Sequence, residues 1–293
     1  MYGKKIWIPS GILLIGVIIF LCIQIFMGFQ IEKQMNYLFG KMANYVDINY
    51  ETASYSLLSS KMTFKNLEIR YLKNNSTLYV KNLVIYDIDT TSDFPSHMDM
   101  HLAGLRLNNS KPGSIAAQIQ ELGYSHPIKL YIDLSYTYNK KEKDLVIERL
   151  SLGADDIGAL SYSLHLGNVD MGNDSHNALK EYNHFLVYSS VLSYRDDSAF
   201  NKYVEYQAIA KGISEEKVRD DIFNLIDTSK EGSIFFNMSD EVRSEALAQV
   251  RKFINNPATI SLSITPKKPI SVEDWLRIKK SSQEEVRFDI NVY

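Results

Sequence analysis

His97, Asp99 and His101 stand two residues apart in the pentapeptide HMDMH. On a strand that spacing puts two imidazoles and a carboxylate on one face, and these are donor types that hold a divalent metal. The segment offers no fixed fourth ligand and lacks the helical spacing of zinc proteases. The expectation is therefore a polar outward face, with Met98, Met100 and Leu102 turned the other way. Asp155–Asp156 and Asp220–Asp221 are acidic pairs. Glycoside hydrolysis needs two carboxyl groups about 5–10 Å apart across a cleft, which neighbours in sequence do not supply. The chain has no G-x-S-x-G elbow and no glycine-rich phosphate loop. Lys267 and Lys268, set between Pro266 and Pro269, form a rigid surface corner that would contact anionic headgroups if it faced a membrane. No residue set names a reaction. No catalytic, cofactor-binding or metal residue is assigned, no cofactor is expected, and the protein reads as non-enzymatic.

The elements that position these residues follow from periodicity. Ile6–Gln30 contains no Lys, Arg, Asp, Glu or His. At 1.5 Å of rise per residue, 20–25 apolar residues span a hydrocarbon core of about 30 Å, so a single transmembrane helix is expected there. The run is too long for a secretory leader, and large residues occupy its exit, so it reads as an uncleaved signal-anchor. Lys4 and Lys5 precede it more densely than Lys33 and Lys41 follow it, which places residues 1–5 in the cytoplasm and the remainder on the far side. Residues 31–45 carry Ile31, Met35, Leu38 and Met42 at helical steps and read as a juxtamembrane helix.

Beyond Val46 the period becomes two. A unit of apolar, two mostly polar, apolar, spacer, apolar then recurs: Phe64–Leu67–Ile69, Val80–Leu83–Ile85, Leu102–Leu105–Leu107, Ile147–Leu150–Leu152 and Leu166–Val169–Met171. A two-residue insert in strict alternation would turn the second half of a strand to the wrong face unless the strand bulges or bends. Asn66, Asn82, Gly104 and Asn168 occupy the second insert position, where such a bend asks for tolerant dihedrals. Ile128–Tyr138 and Leu145–Leu152 read as a hairpin around a charged turn, and Ser114–Leu122 as a short helix.

Four helices are expected between residues 173 and 256. The first runs from about 174 to 192 on the steps Leu179, Tyr182, Phe185, Leu186 and Ser189. The others are centred on Val204, on Val218–Ile222 and on Ala246–Phe253. Residues 257–293 return to strands, with one short helix after Ser271. The expected fold is α+β: an N-terminal transmembrane helix, then a twisted, mostly antiparallel β-sheet over 46–172 with bulged or bent repeat strands, packed by the helical section and completed by 257–293. The fifteen apolar residues of the repeats would line either an open groove or a core covered by the helices, and the covered core is the favoured reading.

The net charge is −3, and −5 without Lys4 and Lys5, which excludes the strong basic surplus of a nucleic-acid binder. Cys22 is the single cysteine, so the part beyond the apolar run forms no internal disulfide.

The single apolar run, the segment Val46–Ile69 (VDINYETASYSLLSSKMTFKNLEI) and the echo VKNLVI at 80–85 together resemble AsmA-like periplasmic proteins over about residues 1–170. That resemblance implies a single-pass inner-membrane anchor, a large periplasmic part, an elongated twisted sheet with an apolar groove, and a role in lipid transport or outer-membrane maintenance. The implied partners are the lipid bilayer, phospholipid, or another envelope protein. Two other classes stand beside this one: an anchored scaffold binding a secretion or surface complex, and an envelope hydrolase.

Overall fold

A computed structural model of the protein describes residues 45–56, 61–73, 76–89, 94–106, 115–124, 128–171, 182–228, 239–276 and 286–293, with the isolated positions 33, 40, 43 and 59. Its strands are β1 (Val46–Asn49), β2 (Thr52–Ser56), β3 (Lys61–Tyr71), β4 (Thr77–Ile88), β5 (His97–Arg106), β6 (Lys129–Asn139), β7 (Asp144–Ala154), β8 (Gly158–Gly167), β9 (Leu186–Asp196), β10 (Thr259–Pro266), β11 (Ile270–Ser271) and β12 (Val286–Val292). Its helices are α1 (Ile115–Glu121), α2 (Ala199–Lys211), α3 (Glu215–Thr228), α4 (Asp240–Asn255) and α5 (Val272–Leu276).

The strands form one antiparallel sheet in the order β1-β3-β4-β5-β6-β7-β8-β9-β10-β12, with β2 beside β3 and β11 beside β9. Its register builds continuous rows. Phe64, Leu83, Leu102, Ile132, Leu152, Leu160, Tyr194, Ile260 and Val292 are successive cross-strand partners. Met62, Ile85, Met100, Leu134, Leu150, Tyr162, Leu192, Leu262 and Ile290 make the next row on that face. The row between them belongs to the opposite face, because side chains alternate along a strand, and it is mostly polar: Thr63, Val84, His101, Asp133, Ser151, Ser161, Ser193, Ser261 and Asn291. Strict alternation in each strand thus produces one apolar and one polar face across the sheet.

The sheet departs from regularity at several of the repeat inserts and also outside them, at Ile85/Asp87 and His165/Leu166. Asn66 (φ 51°) and Gly104 (φ 71°) are left-handed. The ladder shifts at Ala103/Leu105 between β5 and β6. It shifts again at Ser135/Tyr136 and at Ile147/Leu150, on the two sides of β7. Asn168 (φ 59°) is left-handed just past β8. Asn82 sits in regular register with Lys65 and Ala103. These irregularities keep Phe64 and Leu67 both in the core although they are three residues apart.

The expected fold class is corrected at two points. Residues 186–192, read as the end of a helix, belong to β9, a central strand paired with β8, β10 and β11. Residues 172–181, the rest of that expected helix, lie outside the described residues. Within β9 the helical step from Leu186 to Ser189 is coincident spacing. LVYSSVLSYRD is rich in β-favouring Val and Tyr, and two neighbouring strands satisfy its backbone. The helices beyond residue 198 therefore follow a central strand of one continuous twelve-stranded sheet: α4 packs on that sheet, while α2 and α3 pack on each other and α3 on α4. Second, among the described residues no helix is long and apolar enough to cross a membrane. The stretch 6–30, where that helix was expected, lies outside the described residues, as does most of 31–45.

Helices α2–α4 have clear local causes. The Asp196 carboxylate accepts the Phe200 N–H at 2.8 Å and so starts α2. Gly212 (φ 63°) ends it, and Ile213 N–H closes the turn on the Ala208 carbonyl at 3.1 Å. Ser239 caps α4 by accepting from Val242 N–H, and Asp240 and Glu241 occupy its first turn. Val204, Ala208 and Val218 form the small core between α2 and α3. Helix α4 buries Ala246, Val250, Phe253 and Ile254 and packs along β12. The Phe253 ring reaches Tyr194 at 6.0 Å and Phe200 at 5.6 Å.

Candidate apolar binding face

Along the two apolar rows the face is buried toward both ends and open on β7–β9, although the far ends of β6–β9 carry a buried cluster of their own around Leu145, Leu166 and Val187. At the β3–β6 end Phe64 is 0% exposed, and Leu67, Val80, Leu83, Ile85 and Leu105 are buried around it. The Tyr50 ring stands edge-on to Phe64 with centroids 5.1 Å apart. At the other end Val286 and Val292 are buried next to α4. Between these ends lie Leu150 (41% exposed), Leu152 (49%), Leu160 (48%) and Leu192 (41%). Leu152 opposes Leu160, and Leu150 and Leu192 flank Tyr162 from the two neighbouring strands. Four exposed leucines around one tyrosine make a contiguous apolar strip on three adjacent strands.

Position in the sheet fixes the chemistry of this strip. Strands β7, β8 and β9 are all internal, so their backbone N–H and C=O groups are committed to neighbours on both sides. The strip can offer a ligand apolar contact area and, at its centre, a tyrosine. It cannot offer a backbone edge. The Tyr162 hydroxyl already accepts a hydrogen bond from Ser190 Oγ at 3.1 Å.

The expected apolar residues divide by position. Phe64, Leu67, Val80, Leu83, Ile85, Leu105, Leu166 and Val169 are buried core. Ile69, Leu102, Ile147 and Met171 are half-buried and pack on the same clusters. Leu150 and Leu152 are exposed in the strip. Leu107 lies outside the described residues. Lys267 and Lys268 are exposed on the turn between β10 and β11, both of which pair with β9. The sequence reading missed Leu160, Tyr162 and Leu192. The first two alternate in GALSYSL and were open to a period-two reading. Leu192 was hidden by the mistaken helix.

The opposite face is occupied by its own polar pairs. His101 Nδ1 is 2.8 Å from Asp133 Oδ1, His97 Nε2 is 3.2 Å from Asp87 Oδ1, and His165 Nε2 is 2.9 Å from Asp144 Oδ1. Asp99 lies 3.7 Å from Arg149. His97, Asp99 and His101 are therefore each turned to a different neighbour across the strands. Among the described residues no group of His, Cys, Asp and Glu is arranged to hold a metal. Asp220 pairs with Arg251 at 3.0 Å and Asp221 with Lys217 at 2.6 Å, which ties both carboxylates to helix surfaces.

One polar network lies where the sheet meets the helices. Tyr194 donates to Asp196 Oδ1 at 2.7 Å, and Tyr124 and Ser198 share a hydrogen bond of 2.6 Å. Burial pushes the Tyr194 phenol above its usual range, and the bond to Asp196 adds to that shift. Tyr136 is pushed up to about 12 by burial, with the Asp89 charge contributing. These groups stay neutral near pH 7 and act as hydrogen-bonded struts.

The sequence profile of a family described as "Uncharacterized protein" matches residues 151–286. That span begins inside β7, at the strip, and reaches the first residue of β12. No curated protein matches the chain.

Proposed function

We propose that this chain is a non-enzymatic envelope protein that works beside a membrane and holds hydrocarbon chains, such as those of phospholipid, against the open apolar strip of β7–β9. The observation that carries this reading is the exposure of Leu150, Leu152, Leu160 and Leu192 on one face of internal strands. Contiguous exposed apolar surface marks a binding site more often than chance exposure does. An extended peptide laid across this strip would bury its own N–H and C=O groups without partners, at a cost of about 1–3 kcal/mol each. An acyl chain has no such groups. The uncharged run 6–30 supports placement at a membrane, and the resemblance over residues 1–170 supports the inner membrane and periplasm.

The test is native mass spectrometry of the full chain, released gently from a mild detergent, followed by extraction and identification of bound lipid. A stoichiometric phospholipid that is absent from a Leu152→Asp, Leu160→Asp double variant is the expected result. Equal lipid on both proteins would place any lipid elsewhere and sink the reading.

A second reading, docking of a protein partner, is favoured by α2. Its outer side presents Tyr203, Tyr206 and Ile209, all exposed, opposite the buried Val204 and Ala208. Size-exclusion chromatography with light scattering tests the simplest case. A dimer lost in Ile209→Asp supports self-association through that helix, and an unchanged monomer removes it.

A further inference from the structure

A second site lies away from the leucine strip, at the bend across β3, β4 and β5. A cavity of about 280 Å³ is lined there by Asn66, Leu67, Glu68, Tyr79, Val80, Lys81 and Gly104. Its shape depends on unusual backbone. Asn66 and Gly104 both have positive φ, and a Cβ at Gly104 would lie 2.6 Å from the Lys81 Cβ. The Lys81 stem thus lies over position 104 because no side chain stands there. Non-glycine residues held at positive φ cost free energy, and such positions concentrate at ligand clamps.

The charges around the cavity are what point to a ligand. Glu68 and Tyr79 are cross-strand partners, and Lys81 is two residues along β4 from Tyr79. Opposite charges placed diagonally on adjacent strands ordinarily pair. Among the described residues, neither Lys81 nor Glu68 has an ion-pair partner, and the cavity lies between them. The neighbouring charges are already committed: Arg70 pairs with Asp47 at 2.6 Å, and Glu51 accepts from the Asn66 amide. The Tyr79 ring is 54% exposed beside the cavity.

We propose that this cavity binds a small soluble zwitterion, its ammonium set between the Glu68 carboxylate and the Tyr79 ring and its carboxylate or phosphate on the Lys81 ammonium. A carboxylate and an aromatic face each attract a cation, and the lysine supplies a point charge for the anion. A ligand with both charges satisfies both groups, whereas a simple ion leaves one of them without a counter-charge. The site does not rest on the lipid reading, because it shares no residue with the strip.

Isothermal titration calorimetry of the full chain tests it with β-alanine and phosphoethanolamine as probes, against ethanolamine and inorganic phosphate as half-ligands. The expected result is saturable binding of at least one zwitterion, with the half-ligands about tenfold weaker or more. Lys81→Met and Glu68→Gln should each weaken binding by about tenfold while leaving the melting curve in place, and Leu152→Asp should leave it unchanged. Absence of saturable binding by both zwitterions at millimolar concentration would overturn the proposal. So would phosphate binding as tightly as phosphoethanolamine and surviving Glu68→Gln, since that describes a plain anion site.

Discussion

At the β3–β6 end of the sheet Phe64, Leu67 and Val80 are buried on strands that bend, and none of the described helices makes a principal contact with those strands. At the β10–β12 end the strands keep regular register and the cover is a helix: α4 packs along β12, and its Phe253 reaches Tyr194. The two regions carry the same alternating pattern and bury it by different means. Bending uses inserts in the strands themselves, which raise local twist and turn an apolar face inward. Covering uses a separate layer that must reach the face. Leu150, Leu152, Leu160 and Leu192 lie between the two devices and remain exposed.

The largest expected effect separates the buried end from the open centre. Phe64→Ala should destabilise the protein by about 3–5 kcal/mol, whereas Leu152→Ala, in the same cross-strand row, should stay within about 0.5 kcal/mol. Urea unfolding of the two variants reads the difference directly. Similar losses would mean that the strip is covered and that the contrast is false.

Gly104→Ala probes the bending device alone. A Cβ there meets the Lys81 Cβ at 2.6 Å, and φ is 71°, so a loss of about 1–3 kcal/mol is expected. Gly123 has a positive φ but open space around it, so Gly123→Ala carries the strain of the dihedral without the collision. A loss at 104 no larger than at 123 would remove close strand packing from the account of the bend.

Asp196→Ala probes the covering device. It removes the acceptor for Phe200 N–H and for the Tyr194 hydroxyl, and a loss of about 0.5–2 kcal/mol is expected. Hydrogen exchange should show earlier opening in α2 than in β3–β6. Uniform change across both regions would argue that the helices and the bent end unfold as one unit.

The smallest effect is at alkaline pH. The folded pKa of Tyr136 is raised to about 12, above an unfolded value of about 10. Its contribution is therefore fully present below pH 10 and is lost as pH rises from about 10 through 12. Tyr194 is raised for the same principal reason, burial. Stability measured against pH should be flat through neutrality and fall only above about 10, with delayed tyrosinate absorbance. A fall that begins near pH 8 would contradict burial as the cause.

Much of this arrangement is legible in the amino-acid sequence because alternation is a local code. The hairpin of β6 and β7, the closing strand β12 and the three helices after residue 198 follow from period, caps and charge. The inserts at Asn66 and Gly104 could be placed because a two-residue insert in strict alternation has to be absorbed by a local bulge or bend. β9 was not legible: Leu186 and Ser189 stand at helical spacing, and only pairing with β8 and β10 decides for a strand. The exposure of Leu150 and Leu152 was not legible either. In sequence they match Leu67 and Ile69 of the same repeat, and what distinguishes them is how far the bends and α4 reach across the sheet. The cavity at Lys81 has the same origin, since its two charges stand on different strands.

Titration of a dansyl-labelled undecanoic acid against the full chain tests the central claim most directly, because it asks whether the middle of the apolar face accepts a hydrocarbon chain. The account predicts saturable fluorescence enhancement that is lost in the Leu152→Asp, Leu160→Asp double variant and retained in Lys81→Met. Binding unchanged in the double variant, or absent from the wild-type chain, would contradict it.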